Sequence, residues 1–565
     1  LSAVILSASA LPALAAVPTS LPGSVEPGRI PGQIPLPLAP QLSLPEIVVP
    51  PPSQTVPKGA ASANFTLSDV IVSGATVYPP SVFKDIYGGS IGKSVSVAEL
   101  YSWAAQITDR YRKDGYLLSQ AVIPAQHIRG GVIRIQVIEG FVGQVRIQGP
   151  SNRLLHEYAD RLTQSQPLNS RDLERYLLLA NDLPGYTVHV VLSPSKTVPG
   201  ASDLTLVSTH KLEDFQVSVD NQGTEYIGPW EGTAVASLND ALGHGERLSV
   251  RVSTTPSIHE LQLFGISASV PLNAEGLSLL VDASRTRARP GFTLAQFYPH
   301  TQGDTATVNL QKMLIRSRAQ TLSLTGGLTY EDSISVLTPP GAALPPSSND
   351  KLWVVRFGPN YSLTDAYGGR NDMSLQISHG LKIDNASNPD RPNPSKPHGR
   401  SDFTKFTASL SRLQAITGPY AVLAAVTGQV TPSQSLLSAE QFGVGGAQFG
   451  RGYDPSELTG DDGVAAKIEA QATYGLSYYR LQTAQFFAFY DTGYVRSRYP
   501  FSINADTESH ATLASTGGGV RLALRGGYLT SFEIAKPLTR PPAIYVGHLG
   551  DPKAPRFYFS FIASF

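Results

Sequence analysis

Two glycine-punctuated motifs hold the residues best suited to chemistry in this sequence, one a cation and the other a carboxylate. Arg451 stands inside Phe449-Gly450-Arg451-Gly452-Tyr453, between glycines that let the backbone approach a neighbour closely, and Asp491 precedes Thr492-Gly493 at the end of an aromatic run that begins at Phe486. A guanidinium can give a carboxylate two parallel hydrogen bonds, so this is pinning chemistry rather than bond-breaking chemistry. On a strand, Phe487, Phe489 and Asp491 share one face, while Ala488, Tyr490 and Thr492 share the other. If the first face met lipid, an unpaired carboxylate there would be costly. Asp491 is therefore expected near a rim, or turned inward by a twist at Thr492-Gly493. The residues alone leave a second reading open, in which Arg451 is an exposed loop residue whose ion pair is worth less than about 1 kcal/mol.

Catalysis finds no comparable support. Gly443, Gly445 and Gly446 come near a dinucleotide fingerprint, but Gln448 stands where the final glycine is required and no βαβ unit surrounds them. There is no H-E-x-x-H, calcium loop or P-loop, and the 11 histidines lack ligand spacing. With no cysteine, thiolate metal sites and disulfides are excluded. The 44 basic and 44 acidic residues cancel, so no global field draws the chain to nucleic acid. No cofactor and no metal are expected.

The strands and helices around Arg451 and Asp491 can be read by periodicity. Residues 1–16 are apolar and end in Ala13-Leu14-Ala15, an A-x-A pattern that reads as what remains of an export signal. Residues 17–63 are dominated by proline, with Pro50-Pro51-Pro52 near the end, and read as an extended linker that cannot bury a core.

At Asn64 the texture changes. Phe65 to Val72 alternates, Gly74 turns the chain, and Ser96 with Glu99 forms a capping box for a helix that should end at Gly115. Leu100, Trp103, Ala104, Ile107 and Tyr111 form its core stripe. Strands Leu117 to Ile123 and Val132 to Ile138 follow, and Val145-Arg146-Ile147 leads out to Gly149, giving the order β-α-α-β-β for a first module over 64–149. The order recurs over 150–210, with helices near Leu154 to Leu162 and Arg171 to Asn181 and strands Val188 to Leu192 and Leu204 to Val207.

From 211 to 565 helical periodicity gives way to short alternating segments such as Phe215-Val217-Val219 and Ile266-Ala268-Val270. About 350 residues, at roughly 22 per strand with its connection, supply on the order of sixteen antiparallel strands. The last is the clearest: Phe557, Phe559, Phe561, Ala563 and Phe565 form one face, which suits lipid. A bilayer demands ring closure so that no backbone edge is left unpaired, and with an export signal this favours a membrane β-barrel.

At these residues the sequence resembles the transporters of two-partner secretion, the haemolysin and filamentous-haemagglutinin export family of the outer-membrane assembly-factor superfamily. The resemblance extends over nearly the whole chain. In the first module it lies in Gly74-Ala75-Thr76-Val77-Tyr78, Tyr111 to Leu117, Ile123-Pro124-Ala125-Gln126 and Val137-Ile138-Glu139-Gly140, which resemble polypeptide-transport-associated (POTRA) domains. In the barrel it lies in Gly450-Arg451-Gly452-Tyr453 as a loop-tip motif, Gly460 to Glu469 as the strand after it, and Phe489 to Gly493 as an aspartate-bearing strand.

The resemblance implies two periplasmic modules that receive an unfolded exoprotein, adhesin-like or cytolysin-like, and a sixteen-stranded barrel in the outer membrane of a Gram-negative bacterium. Its inward-folded loop, tipped by Arg451 and anchored at Asp491 and Gly493, would support transport. Phe565 resembles the terminal signal read by the barrel-assembly machinery. Some relatives place a plugging helix ahead of the linker; none is evident here, which leaves plugging open.

Three other functions compete. An assembly factor for other barrels shares the loop motif but usually carries more modules. A barrel-anchored hydrolase would need a nucleophile-bearing domain for which residues 17–210 offer no room. A passive porin would have no use for the modules.

Overall fold

The computed structural model describes residues 21–34, 55–338, 347–387, 393–498, 510–539 and 553–565, less 197, 199, 397 and 433. The export signal expected over 1–16 and most of the proline run lie outside them.

In the first module the helix Val97–Lys113 opens on the expected capping box: the Glu99 amide donates to Ser96 Oγ, and the Ser96 amide donates to the Glu99 carboxylate at 2.6 Å. Its stripe, Leu100, Trp103, Ala104, Ile107 and Tyr111, is buried against a sheet ordered Asp69–Ser73, Val132–Ile138, Gln120–Val122. Three of the four stretches that carry the resemblance in this module converge on one carboxylate. Glu139 accepts from the amides of Thr76 and Val77 at 2.7 and 2.9 Å, from Thr76 Oγ1, and from the Tyr111 hydroxyl at 2.6 Å. Burial pushes the Glu139 carboxyl up, but these hydrogen bonds outweigh it and hold the group below the ordinary glutamate range. Gly74 starts this turn with φ +80°, and a Cβ there would lie 2.3 Å from the Val137 carbonyl oxygen.

The second module repeats the order with strand Phe141–Gln148, helices Arg153–Gln164 and Ser170–Asn181, and strands Tyr186–Pro194 and Ala201–His210. Here the expected division at 149/150 is corrected. Phe141–Gln148 pairs in parallel with Ala201–His210 and is the first strand of the second sheet. Sequence pattern alone assigned it to the first module because a strand does not declare its partner.

Beyond the modules, sixteen described strands close into an antiparallel barrel. Numbered around the ring, they are β1 Glu213–Asp220, β2 Glu231–Asn239, β3 Arg247–Thr254, β4 Leu261–Pro271, β5 Leu277–Ala288, β6 His300–Arg316, β7 Gln320–Val336 and β8 Ser347–Thr364. There follow β9 Gly369–Gly380, β10 Thr404–Thr417, β11 Tyr420–Val430, β12 Asp462–Tyr478, β13 Leu481–Arg496, β14 His510–Leu524, β15 Tyr528–Pro537 and β16 Arg556–Ser564. The ring closes where Phe561 of β16 pairs with Val219 of β1. Val250, Phe264, Ile266, Leu310, Phe357 and Leu375 point outward and are exposed, as a lipid belt requires. Phe557 and Phe565 are exposed as well.

The second module is docked against the turns at the near end of the barrel. Asp182 accepts both Nε and Nη2 of Arg316 at 2.7 Å, and Asp240 accepts from Tyr186 and Asn152. Arg175 donates to the carbonyls of Glu275, Met313 and Leu314.

The linker reading of 17–63 needs a second correction. Residues 21–34 lie inside the barrel, with Leu21, Val25, Ile30 and Ile34 buried against Tyr226, Leu261, Leu294 and Phe297. Only Ile30–Gln33 is helical. Proline composition argues against a self-contained core, yet a proline-rich segment carries few N–H donors, so a preformed lumen can receive it at little cost. Gln33 Nε2 donates to the Gly23 carbonyl at 3.1 Å.

Candidate functional site

The chain between β11 and β12 turns back into the lumen. Its walls are a short hairpin, Phe442–Val444 with Leu458–Gly460, and its tip is Gly450-Arg451-Gly452-Tyr453. Gly450 has φ +86°, a conformation that a side chain would strain. Gly452 lies so close to β14 and β15 that a Cβ would sit 2.9 Å from the Pro537 nitrogen.

At this tip the two residues singled out in the sequence meet. Arg451 donates from Nε to Asp491 Oδ2 at 2.9 Å and from Nη2 to Asp491 Oδ1 at 3.0 Å, the expected fork. The Gly450 and Arg451 amides also donate to Asp491 Oδ2, at 3.2 and 3.1 Å. Arg451 is 5% and Asp491 0% exposed, which decides against a surface pair worth little.

Asp491 needs no rim and no twist. The face it shares with Phe487 and Phe489 is the lumenal one, and Phe486 and Tyr490 point outward. The two inward rings are platforms for cations: the Arg451 guanidinium lies 3.4 Å from the centre of Phe489, and that of Arg521 lies 3.7 Å from Phe487. An aromatic pair on a barrel strand suggests lipid, and here the stacking cations reverse that inference.

Three partners escaped the sequence reading. Glu469 takes Arg451 Nη1 at 2.7 Å and Arg521 Nη1 at 2.7 Å, bridging the two cations. Arg521 on β14 is the second cation, and Glu533 on β15 lies 3.8 Å from Arg451 Nη1. The alternation of β12, with Val464, Ala466 and Ile468 apolar and Lys467, Glu469 and Gln471 polar, carried enough signal to place Glu469 in the lumen. Nothing local paired it with Arg451.

Tyr453 is 2% exposed, and its hydroxyl meets the Ala514 carbonyl at 2.9 Å and the Thr539 amide at 3.1 Å. Gly493 holds the base of the loop by absence: a Cβ there would lie 2.3 Å from Val444 Cγ1. Phe565 stands apart at the barrel's near end, where its amide donates to the Phe215 carbonyl at 2.8 Å. The N-terminal segment also grips this loop. Arg29 Nη1 donates to the carbonyls of Ser438 and Gln441 at 2.9 and 2.7 Å, and Nη2 donates to Ser456 Oγ at 3.0 Å. The arrangement can brace a loop across a pore; it offers no nucleophile with an adjacent base.

Comparison with known proteins agrees with this architecture. The model for the POTRA domain, ShlB-type, matches residues 65–140, ending where the second sheet begins. The heme/hemopexin transporter protein HuxB of Haemophilus influenzae (strain 86-028NP) is 26% identical over 465 residues, 79% of each chain. The outer membrane transporter CdiB of Escherichia coli is 25% identical over 517 residues, 88% of this chain and 83% of its own. Among solved structures, CdiB from Escherichia coli superposes with a TM-score of 0.71 at 23% identity, over 92% of this chain and 93% of that one. BamA from Haemophilus ducreyi lacking POTRA domains 1-3 shares the fold, with a TM-score of 0.53 at 14% identity over 89% of this chain and all of that one. The model for the haemolysin secretion/activation protein ShlB/FhaC/HecB matches residues 200–522, more than half of the sequence, and this chain belongs to that family.

Proposed function

We propose that this chain is an outer-membrane pore that takes an unfolded partner exoprotein from the periplasm and releases it outside the cell without nucleotide. The observation that carries the reading is the pairing of two β-α-α-β-β modules, docked beneath a closed barrel, with a loop braced across that barrel at Arg451 and Asp491. Each module sheet ends in outer strands with one unpaired backbone side, which take up an extended chain by β-augmentation with little regard for its sequence. The periplasm has no ATP; folding of the partner outside prevents its return and biases the motion outward. The barrel-assembly machinery reads Phe565, and outer-membrane lipid covers the outward apolar belt. No step requires a catalytic residue.

The test is export of a co-expressed partner into the medium, comparing the parent with Arg451→Ala and confirming both in the outer membrane. Export lost only in the variant supports a loop-dependent transporter. Equal export removes the role of Arg451. No export from either chain, together with faulty insertion of other barrels in cells lacking this one, favours the assembly-factor reading instead.

A further inference from the structure

The lumen has two unlike walls. The wall of β12 to β15 is taken up by the braced loop, its arginines and their carboxylates. Across from it a cavity of about 1470 Å³ opens at the near end of the barrel. Its floor is Leu178 and residues 181–187 of the second module, and its ceiling is Pro31-Gly32 of the N-terminal segment. Between floor and ceiling, Ser237, Ser249, Ser267, Thr321, Ser362 and Thr364 line its sides. Charged groups gather at its near end, where Arg247 is engaged by Asp214 and Arg316 by Asp182, and one opposed pair, Arg251 and Asp282, stands among the hydroxyls.

Above the ceiling the same wall already holds polypeptide. The Pro27 carbonyl oxygen lies 3.0 Å from where a Cβ on Gly303 of β6 would stand, so the bare glycine is what admits it; Gly28 packs against Glu331 of β7 in the same way. Along this stretch the lumen face continues with hydroxyls, among them Thr307 bonded to Thr329, and its guanidinium, Arg356 of β8, is engaged by Glu440 of the loop. Short hydroxyls donate and accept in turn, so they satisfy a passing backbone at any register, and they are too small to trap a side chain. A wall of guanidinium and carboxylate groups would hold a chain at fixed points.

We propose that the hydroxyl-lined wall of β2 to β8 is the track along which an extended segment of the exoprotein passes, and that residues 21–34 occupy its outer half in the resting chain. This rests on the transport reading above. The entering segment runs from the second module through the cavity and must replace Pro31-Gly32 to advance. The braced loop across the lumen is the opposite rail and does not touch the moving backbone.

The natural absence of cysteine makes the test clean. Single variants Ser249→Cys and Ser267→Cys mark the track, while Thr473→Cys and Ser531→Cys mark the lumen face of the other wall. Each is co-expressed with a partner exoprotein that carries one cysteine in its entering segment and a fused, prefolded disulfide-bonded domain that stalls it, and an added oxidant forms the disulfide. The same variants are first assayed with an unfused partner, and parental export shows that each pore is intact. Severalfold more cross-linked product at Ser249→Cys and Ser267→Cys is the expected result. Equal yields on the two walls, or a majority at Thr473→Cys and Ser531→Cys, overturn the track while the transport reading stands. If the parent exports no partner at all, the transport reading fails, and the track falls with it.

Discussion

Phe489 and Asp491, two residues apart on one strand, hold the same guanidinium from two sides: the ring lies 3.4 Å beneath Arg451, and the carboxylate takes it in plane at 2.9 and 3.0 Å. The stack and the fork contribute differently. Asp491→Asn leaves a buried cation short of its counter-charge and should weaken the loop anchor by about 3–5 kcal/mol. Phe489→Leu removes only the ring face and should cost about 2 kcal/mol. Protease cleavage of the loop in the folded barrel, followed against denaturant, should rank the two variants in that order; the reverse order would make the ring the principal anchor.

Gly493 should tolerate no side chain while Val444 faces it. Gly493→Ala forces Val444 aside, an overpacking expected to cost about 1–3 kcal/mol. Adding Val444→Ala should restore most of the loss. Thermal unfolding of the barrel for the two single variants and the double variant measures the coupling, and simple additivity would disprove the contact as the cause.

Arg29 is the main polar grip of the N-terminal segment on the loop. Arg29→Ala should loosen residues 21–34 and raise ion conductance of the barrel in planar bilayers, with outer-membrane levels unchanged. A conductance equal to that of the parent would mean that the apolar contacts of Val25 and Ile30 hold the segment unaided.

Acid should destabilise the first module through Glu139. Its carboxyl is held below the ordinary value when folded, so the unfolded chain binds the proton more readily. The stabilisation is complete above the ordinary glutamate value of about 4.3 and is lost as pH falls through the lowered one. Trp103, buried in this core, reports unfolding once Trp230 and Trp353 are replaced by Phe. Glu139→Gln should flatten the acid limb of the urea midpoint; an unchanged limb would assign the acid sensitivity elsewhere.

The order of elements is legible in the residues alone, because there the signal is local. The capping box at Ser96 and Glu99 and the stripe from Leu100 to Tyr111 need only their own helix to be read. The outward row ending at Phe565 needs only the period of a strand. The Arg451–Asp491 pair could be nominated from residue types, although its burial could not be known. Partners far apart in the chain were visible only in the folded structure. It assigned Phe141–Gln148 to the second sheet, set Glu469 and Arg521 beside Arg451, and turned the Phe487 and Phe489 face inward onto cations. It also drew residues 21–34 into the lumen, because a segment that cannot form a core of its own can still be buried in one that the barrel and its loops supply.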